Sequence, residues 1–484
     1  MSSILILGGG AAGLAAAATA AEADLTVTVL EKRKYTGGNG QYAEGAFAAG
    51  SRLQKRNNID ADPEKLFHQA MEYSHWRSDA RLTRTLIDAS GETIDWLCDI
   101  GAPFSRVIHH MPNQSPEVFH MAYPSPTGTR VLAALKEHCA KLGVTILTET
   151  PATELLMTDG VVTGVKALVN GQETSIFADC VLIATGGFAG NHELMRQMIP
   201  GCNPEYYMHL KGIPMDGDGL RMAQNAGASI CKDIAIEGCG PVFRGQRELV
   251  PLIRRPDILW VNAFGQRFCD ETISEDFIHG QNAVARQPGK MCWAILDEAA
   301  VRRAYESLPG MMAPPTETKN GMENLYGALE KELENGRIYK AATVQKLAVA
   351  AGINTDTLLE ETARYNVDCS RGYDSLFGKD RRYMEPLTEG PFYAIPAGID
   401  IITTHGGIQT DCRMRVLAPD GTPIPGLYAA GIDISGIDSA DYSVMLSGHA
   451  FGFSLAGGRL AAMEMAHQLD SNQKNSFLRG IFTR

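Results

Sequence analysis

A glycine-rich turn at the N-terminus constrains the fold more than any other feature of the chain. Residues 4–7, ILIL, form a wholly apolar run that is typical of a buried parallel strand, and an alanine-rich helix is predicted to follow. Between them, GGGAAG at 8–13 matches the G-x-G-x-x-G pattern. In this pattern Gly8 permits a tight turn, Gly10 lets the backbone approach a pyrophosphate, and Gly13 lets the helix pack closely on the strand.

A second predicted strand over 25–30 ends at an acidic residue, Glu31, which lies 18 residues beyond Gly13. A carboxylate at this point is placed to accept hydrogen bonds from a ribose diol. The N-terminus of the preceding helix presents N–H groups and a positive dipole end to phosphates. A strand, a turn, a helix and an acid in this order favour a dinucleotide site over a purely structural glycine turn.

Composition narrows the class of protein. The chain has 484 residues, of which 44% are hydrophobic, and its 44 basic and 56 acidic residues give a net charge of −12. These values are typical of a globular chain and argue against a nucleic-acid partner held by bulk charge. The ten cysteines show no C-x-x-C pair and no spacing typical of a metal centre, so we predict no metal. We interpret them as reduced thiols, which indicates a cytoplasmic location.

The uncharged segment 4–21 imitates a membrane span or a signal peptide. However, no basic residue precedes it, glycines interrupt it, and most of its apolar residues are alanines, which drive membrane insertion poorly. We therefore predict no membrane span and expect this segment to begin the nucleotide-binding unit.

The segment after Glu31 carries the first resemblance to a known family. Lys32 follows directly, TGGNGQ occupies 36–41, and Gly45 lies beyond it. This pattern resembles the E-K-x-x-x-x-G-G-N-S/T-x-x-A-x-G motif of the fumarate reductase and succinate dehydrogenase flavoprotein family. The similarity is to the soluble branch, with urocanate reductase, tricarballylate dehydrogenase and ketosteroid dehydrogenases. Because that family binds FAD, the resemblance implies FAD as the cofactor.

Further motifs extend the resemblance along nearly the whole chain. They are ETIDWL at 92–97, TPATELL at 150–156, ATGGF at 184–188, DGDG at 216–219, VNAFGQRFCDE at 261–271, PFYA at 391–394, PGLYAAG at 425–431 and SGHA at 447–450. The N-terminal and C-terminal motifs have to meet around one cofactor. The resemblance implies an α/β fold in which a discontinuous Rossmann-like FAD-binding domain (1–232 and 394–484) carries an inserted α+β capping domain (233–393).

The resemblance also implies which residues surround the FAD. They are Gly8, Gly10, Ala12, Gly13, Glu31, Lys32, Gly38, Asn39, Gly40, Gln41, Ala152, Thr185, Gly186, Asp218, His405, Gly431, Ser447, Gly448 and Ala450. Asn39 stands where membrane-bound relatives carry a histidine linked to FAD, so non-covalent FAD is expected. Ile432 stands where the family has an acid after PGLYAAG.

The family chemistry is hydride transfer between flavin N5 and a substrate carbon, with a proton exchanged at the neighbouring carbon. The protein orients the substrate, transfers the proton and binds the activating group of the substrate. In the dicarboxylate enzymes, arginine and histidine side chains bind this group. Here Glu275, Met445 and Thr403 occupy the corresponding positions. Charge therefore disfavours fumarate and succinate as substrates.

The candidates for catalysis are Tyr442, Arg254, Glu275 and His405. Tyr442 resembles the catalytic tyrosine of ketosteroid-type relatives, with a spacing to Gly448 that is two residues longer. A phenol assisted by a backbone N–H can act as an acid or stabilise an enolate. His405 precedes a Gly-Gly turn, where it either contacts the flavin or the substrate or only orders the turn.

For several charged and aromatic residues, the sequence leaves two roles open. Arg254, with Arg255, matches the place of a proton-relay arginine in fumarate reductases, or the two form a surface pair. Glu275 is a solvated charge or a catalytic base. Four further side chains line an apolar pocket or belong to plain core packing; they are His109, His110, His120 and Tyr123.

These observations predict an FAD-dependent oxidoreductase, an ene-reductase or CH–CH dehydrogenase, which acts on an activated small molecule other than fumarate. Two alternatives stay open. One is a tricarballylate-type carboxylic acid dehydrogenase that uses Arg254 or Arg255, and the other is the flavoprotein subunit of an electron-transfer complex. The expected partners are a small-molecule substrate and an unidentified electron donor or acceptor.

Overall fold

The computed structural model of the protein describes residues 2–110, 116–123, 126–209, 215–306, 324–439 and 441–482. Its strands are β1 (Ser3–Leu7), β2 (Thr26–Leu30), β3 (Ala46–Phe47), β4 (Phe104–Ile108), β5 (Phe119–Ala122), β6 (Thr145–Leu147), β7 (Ala152–Thr158), β8 (Val161–Val169), β9 (Gln172–Phe177), β10 (Cys180–Ile183), β11 (Tyr207–His209), β12 (Ala235–Val242), β13 (Leu259–Val261), β14 (Met291–Asp297), β15 (Tyr339–Ala341), β16 (Phe392–His405), β17 (Arg415–Leu417) and β18 (Pro423–Ala429). Its helices are α1 (Ala11–Glu22), α2 (Arg52–Arg56), α3 (Pro63–Tyr73), α4 (Ala80–Asp99), α5 (Thr127–Lys141), α6 (His192–Met198), α7 (Asp218–Asn225), α8 (Leu249–Ile253), α9 (Phe277–Ala285), α10 (Glu298–Glu306), α11 (Leu325–Glu334), α12 (Val344–Ala351), α13 (Thr355–Arg371) and α14 (His449–Phe482).

The chain divides into two compact units. The first consists of residues 1–202, 211–237 and 403–484, and the second of residues 203–210 and 238–402. The chain passes between the units inside β12 and again inside β16, because both strands run on through the boundary. The PFYA motif therefore marks the beginning of β16 and not a domain boundary. The role of the inserted unit as a cap stays a prediction.

The first unit is built on a six-stranded sheet with the strand order β17-β18-β10-β1-β2-β6. The strands from β18 to β6 are parallel, and β17 pairs antiparallel with β18 at the edge. Residues 4–7 of the central strand β1 are at most 1% exposed. A parallel sheet of this order, with helices between its strands, is typical of a doubly wound nucleotide-binding fold. The predicted α/β, Rossmann-like class is confirmed.

Helix α1 packs on its neighbours through small residues. Its alanines at 15–18 are fully buried. A Cβ added to Gly13 would lie 1.9 Å from the carbonyl oxygen of Gly8, and one added to Gly458 on α14 would lie 2.2 Å from that of Ala12. Backbone thus meets backbone on both sides of α1, so these positions accept no larger residue.

The uncharged N-terminal segment folds as β1, the glycine turn and most of α1, as the sequence predicts. Two three-stranded antiparallel sheets, β3-β5-β4 and β7-β8-β9, complete the strands of the first unit. Throughout the described ranges, the helices lack the combination of length and apolar character that crossing a bilayer requires.

The second unit surrounds the long strand β16, which pairs antiparallel with β14 and β15 and parallel with β11. Strand β13 extends the sheet beyond β14, and β12 also pairs with β16. A buried apolar core lies around Trp260, whose indole N–H donates to the carbonyl of Ile253 at 2.8 Å. Helices α11 and α12 also belong to this unit.

Four charged side chains form a closed network inside the second unit. Arg267 donates to Glu271 at 2.9 Å and to Asp374 at 2.9 Å, and Lys379 donates to Glu271 at 3.1 Å. All four side chains are at most 1% exposed. Two cations and two anions balance in charge, which is the condition under which buried ions are tolerated. The R and E of the VNAFGQRFCDE motif are therefore structural.

We expect the substitution Asp374→Asn to lower the free energy of unfolding by about 3–5 kcal/mol, because it leaves Arg267 with an uncompensated buried charge. Urea unfolding followed by circular dichroism measures the change. The control is Arg382→Gln, which removes a 2.7 Å ion pair between Arg382 and Asp380 at the surface; its unfolding midpoint should stay at the wild-type value. Equal midpoints for the two variants would contradict this account of the network.

Candidate functional site

The glycines of the first turn divide into packed ones and an open one. Gly8 has a φ of +107°, and a Cβ there would lie 2.2 Å from the carbonyl oxygen of Ala184. Gly13 is packed in the same way. Gly10, in contrast, has no protein atom within 4 Å of the place that a Cβ would take, and it leads into α1 without a side-chain cap. Open backbone at a helix N-terminus fits a pyrophosphate.

Two other glycine segments converge on the same end of α1. A Cβ on Gly38 would lie 3.6 Å from the Cα of Gly10, and one on Gly431 would lie 3.2 Å from the Cβ of Ala12. Gly38 and Gly431 are about four hundred positions apart in the sequence, on the two sides of the inserted unit. The first unit therefore brings the predicted N-terminal and C-terminal FAD motifs together.

A short 3-10 turn, Gly38–Tyr42, carries Asn39 and Gln41 and is held by the first residues of α5. A Cβ on Gly128 would lie 1.9 Å from the carbonyl oxygen of Gly40. The Thr129 hydroxyl donates to the carbonyl of Gln41 at 2.8 Å. This packing fixes the turn beside the N-terminus of α1.

Glu31 is buried at the end of β2, with 6% of its surface exposed. One carboxylate oxygen accepts a hydrogen bond from the backbone N–H of Gly9 at 2.9 Å, and the other accepts from that of Arg33 at 2.9 Å. The carboxylate thus joins the glycine turn to the end of the second strand. Its predicted contact with a ribose stays a prediction.

Lys32 bridges two acids of the DGDG motif, at 2.6 Å from Asp216 and 2.8 Å from Asp218. Burial lowers the pKa of Lys32, but the hydrogen bonds to both carboxylates outweigh it and raise that pKa. Lys32 and Asp218 neutralise each other and anchor the start of α7 beside the end of β2. Their contacts with FAD stay predictions.

An acid that the sequence-based assignment missed lies two residues after Gly431. The Asp433 carboxylate accepts hydrogen bonds from the N–H groups of Gly186 and Gly187 at 2.8 and 2.9 Å, and from the Thr185 hydroxyl at 3.1 Å. Burial raises the pKa of Asp433, and these donors oppose the shift. Ile432 stands where the family has an acid, and the next residue, Asp433, closes the 3-10 turn Gly431–Asp433.

The remaining predicted cofactor residues occupy the start of β7 and of α14. Ala152 opens β7 and lies opposite Ala167 on β8. Ser447 donates through its hydroxyl to the carbonyl of Val444 at 2.9 Å. Gly448, with a φ of +83°, leads into α14. Open backbone at Gly10, a buried acid at the end of β2 and the convergence of separate glycine turns on one helix end together fit FAD.

A second cluster is buried where β16 ends and α14 begins. The two ring nitrogens of His405 lie 2.8 Å from the carboxylate of Asp438 and 3.1 Å from that of Glu237. Nε2 of His449 lies 2.9 Å from Asp438, and its Nδ1 lies 3.0 Å from the carbonyl oxygen of Leu446. Asp438 therefore holds both histidines.

Tyr442 completes this cluster. Its ring stacks on that of His449 with centroids 4.3 Å apart, and its edge meets His405 at 5.2 Å. The backbone N–H of Ala450, in the first turn of α14, lowers the pKa of its hydroxyl, and Glu237 raises it. The structure thus joins two of the predicted catalytic residues, Tyr442 and His405, through an acid that the sequence did not indicate.

The cluster shifts the acidity of its members strongly. Burial disfavours a charged His405, but hydrogen bonds to Asp438 and Glu237 outweigh it and raise the pKa of His405 to about 9. Burial alone would raise the pKa of Asp438, yet His449 and His405 hold it well below its usual range. Burial raises the pKa of Tyr442 well above its usual value, and the charges of Glu237 and Asp438 act in the same direction.

The other two predicted catalytic residues lie in the second unit. Arg254, at the end of α8, donates through Nε to the carbonyl of Pro241 at 2.9 Å. Its neighbour Arg255 pairs with Asp257 at 2.9 Å. Glu275 closes a 3-10 turn and accepts from the hydroxyl of Tyr383 at 3.4 Å. The catalytic roles of Arg254 and Glu275 stay predictions.

The histidines of the 109–120 segment contribute mainly to packing. His120 is fully buried between the Ser51 hydroxyl at 2.7 Å and the Val118 carbonyl at 3.0 Å. His110 stacks on Phe119 with centroids 4.3 Å apart. Burial lowers the pKa of both histidines to about 4, so both rings are neutral at pH 7. His109, partly exposed, lies 3.8 Å from Glu117.

We expect Gly10→Ala to weaken FAD binding at least about 10-fold without loss of stability, because the added methyl group meets cofactor and no protein atom. Flavin content after purification and FAD titration of the flavin-free protein measure this effect. The contrasting variant is Gly8→Ala, whose methyl group meets the Ala184 carbonyl at 2.2 Å and should lower the unfolding midpoint. Wild-type FAD affinity in Gly10→Ala would overturn the assignment of this turn to the pyrophosphate.

The raised pKa of His405 predicts a pH dependence of stability. The folded protein binds this proton more tightly than the unfolded chain, so the stabilisation is full below about pH 6.5 and is lost as pH rises through about 9. The free energy of unfolding should fall over this interval by up to about 3 kcal/mol more in the wild type than in His405→Gln. Denaturant unfolding at several pH values tests this, and parallel pH curves for the two proteins would contradict it.

Comparison with known proteins identifies the family. The model of the FAD binding domain family matches residues 3–442. The vinyl phenol reductase of Lactiplantibacillus plantarum is 30% identical, over 96% of this chain and 97% of the relative. The fumarate reductase (cytochrome) of Shewanella frigidimarina is 29% identical, over 97% of this chain and 78% of the relative. The 3-ketosteroid delta1-dehydrogenase of Sterolibacterium denitrificans, at 19% identity, superimposes with a TM-score of 0.76 over 97% of this chain and 100% of that one, which shows a shared fold.

These similarities confirm the predicted family, the FAD cofactor and the enzyme class. Relatives named as reductases and dehydrogenases of C=C or CH–CH units also confirm the predicted type of reaction. The chain belongs to the FAD binding domain family and is an FAD-dependent oxidoreductase related to the fumarate reductase flavoproteins.

Proposed function

We propose that the protein reduces the C=C bond of an uncharged alkene that is conjugated to an aromatic ring or to a carbonyl group. The observation that carries this proposal is the position of the Tyr442 hydroxyl. The Tyr442 ring packs against His405 and His449, and the carboxylate of Glu237 and the backbone N–H of Ala450, in the first turn of α14, both act on the hydroxyl. A hydroxyl in this setting is built to give up and recover a proton.

FAD would be held by the open turn at Gly10, by Glu31 and by the start of α14 from Ser447 onward. When bound, it supplies the hydride for reduction at N5. We propose that FAD is not linked covalently, since the amide of Asn39 has no ring nitrogen with which to form the bond made by a histidine. A cytoplasmic location, where thiols stay reduced, is proposed from the scattered cysteines.

Tyr442 would act as the proton donor. Hydride addition to one alkene carbon makes the neighbouring carbon basic, and the Tyr442 O–H bond then breaks as a C–H bond forms. The Ala450 N–H stabilises the phenolate that results. Because burial and two nearby carboxylates raise the pKa of Tyr442, the hydroxyl stays protonated until the neighbouring substrate carbon has become basic.

Charge at the cluster favours an uncharged substrate. The carboxylates of Glu237 and Asp438 both act on Tyr442, and a dicarboxylate beside that hydroxyl would be repelled by them. The arginine and histidine positions of the dicarboxylate enzymes hold Glu275, Met445 and Thr403. The name of the vinyl phenol reductase, whose substrate is an uncharged conjugated alkene, supports this class.

One observation favours a second candidate, the tricarballylate-type acid dehydrogenase. Nη2 of Arg254 is buried and makes no hydrogen bond within the described structure, which makes it available to a carboxylate of a substrate. Arg255, by contrast, is committed to Asp257. A carboxylic acid substrate would then require Arg254 and not Arg255.

Anaerobic reoxidation of the photoreduced enzyme tests the proposal without knowledge of the natural electron donor. The panel contains 4-vinylphenol, cyclohexenone, cinnamate, fumarate and aconitate, and flavin absorbance reports the rate. We expect the two uncharged alkenes to react at least about 100-fold faster than fumarate. Tyr442→Phe should slow their reaction by about 10² to 10⁴-fold while flavin content stays at the wild-type level.

The matched control is Tyr428→Phe, which removes a buried hydroxyl that donates to Gln468 at 2.7 Å. This variant should retain the wild-type rate. Rapid reoxidation by fumarate alone would refute the proposed substrate class. Reaction confined to the carboxylic acids and lost in Arg254→Gln would establish the second candidate in its place.

A further inference from the structure

Tyr442 stands beside a continuous series of polar contacts. The charge of Glu237 acts on its hydroxyl, Glu237 lies 3.1 Å from Nε2 of His405, and Nδ1 of His405 lies 2.8 Å from Asp438. Asp438 also accepts from His449, 2.9 Å away. The series returns to its starting point, because the His449 ring stacks on that of Tyr442 at 4.3 Å.

The members of this series differ in their access to water. The side chains of Asp438, His449 and His405 are 0%, 1% and 4% exposed, whereas that of Glu237 is 15% exposed. Glu237 is therefore the member through which a proton can enter from solvent. It is also the charged member that acts most strongly on the Tyr442 hydroxyl.

The hydrogen bonds define the charge on His405. An ionised carboxylate only accepts, so a ring with a carboxylate at each nitrogen has to donate from both and is an imidazolium. Burial opposes this charge, but the two carboxylates overcome it and raise the pKa of His405 to about 9. His405 therefore carries a proton on both ring nitrogens at neutral pH, and the carboxylate of Glu237 links this ring to Tyr442.

The groups that face His405 come from each element packed against it. Glu237 lies on β12, Asp438 on the segment before residue 440, and Tyr442 and His449 on the chain leading into α14. Two carboxylates surround the ring, together with a phenol and a second imidazole. A core built only for stability would gain as much from apolar side chains of similar size, since buried ions lose their hydration.

We propose that Glu237 and His405, held by Asp438 and His449, form a proton relay that restores the proton of Tyr442 in each catalytic cycle. The inference rests on the proposed function, in which Tyr442 gives its proton to the substrate carbon. The Nε2–H proton of His405 moves to the ionised carboxylate of Glu237, and Glu237 passes a proton to the Tyr442 phenolate, so that the Tyr442 O–H bond re-forms and His405 is left neutral. His405 regains its proton from water through Glu237. His405, Asp438 and His449 are thus positioning residues that act through Glu237.

The wild-type enzyme provides the first test, through turnover with 4-vinylphenol in the presence of a saturating chemical reductant. We expect kcat to fall as pH rises through about 9, when His405 loses its proton. In mixtures of H2O and D2O, kcat should depend on deuterium content with a curve, because more than one proton moves in the step. A linear dependence together with a flat pH profile would overturn the relay.

The variant Glu237→Gln keeps the size of the side chain and removes its capacity to carry a proton. It should lower kcat by about 10 to 100-fold with KM unchanged, make the deuterium dependence linear, and leave the flavin content as in the wild type. Glu237→Asp should recover part of the lost kcat. In His405→Gln the fall of kcat around pH 9 should disappear.

The control is Asp374→Asn in the buried ion network of the second unit, which lowers stability without touching the cluster. It should keep the wild-type pH profile and deuterium dependence at 15 °C. If Tyr442→Phe abolishes reduction while Glu237→Gln keeps the wild-type kcat, pH profile and isotope response, the relay is refuted and the proposed function stands. If Tyr442→Phe reacts at the wild-type rate, the proposed function fails, and the relay fails with it.

Discussion

The first unit depends on the close approach of backbone to backbone around α1. Added Cβ atoms at Gly8, Gly13 and Gly458 would lie within 2.2 Å of main-chain oxygens on three different elements. Such contacts leave no room for side chains, so only glycine allows the helix to lie this near the sheet and α14. The same approach exposes the backbone of Gly10 at the helix N-terminus, where a pyrophosphate finds N–H groups and a favourable dipole.

A buried group of charges lies in each unit, and the two groups differ in composition and exposure. In the second unit, Arg267 and Lys379 balance Glu271 and Asp374, every side chain is at most 1% exposed, and charge and hydrogen bonds are satisfied internally. The cluster of the first unit includes a partly exposed member, Glu237, and a phenol with a strongly raised pKa. A network that is shielded from water and has equal numbers of positive and negative charges stabilises a fold. A cluster that reaches water and contains carboxylates beside a phenol suits proton transfer.

Local patterns were sufficient for the nucleotide-binding unit. The strand, glycine turn and helix at the N-terminus form as predicted, with Gly10 as the N-cap of a helix that begins at Ala11. The family motifs indicated FAD correctly. Two details were not visible in the sequence. One is the buried Asp433, which closes a 3-10 turn after Gly431, and the other is that β12 and β16 run through the boundary between the units. Turn geometry and strand continuity are not visible in residue spacing alone.

The sequence by itself predicted a dinucleotide-binding α/β fold, because a helix N-terminus, a glycine turn and an acid after the second strand act through contacts close in the chain. Its resemblance to a known family implied FAD and the type of reaction. It also offered Tyr442 and His405 as separate candidates. Only the tertiary structure decided that Glu237 lies between them and that Asp438 and His449 support them, since these five residues come from segments up to 212 positions apart. Acidity in such a cluster depends on burial and on the neighbours that long-range packing supplies, and no local pattern encodes either.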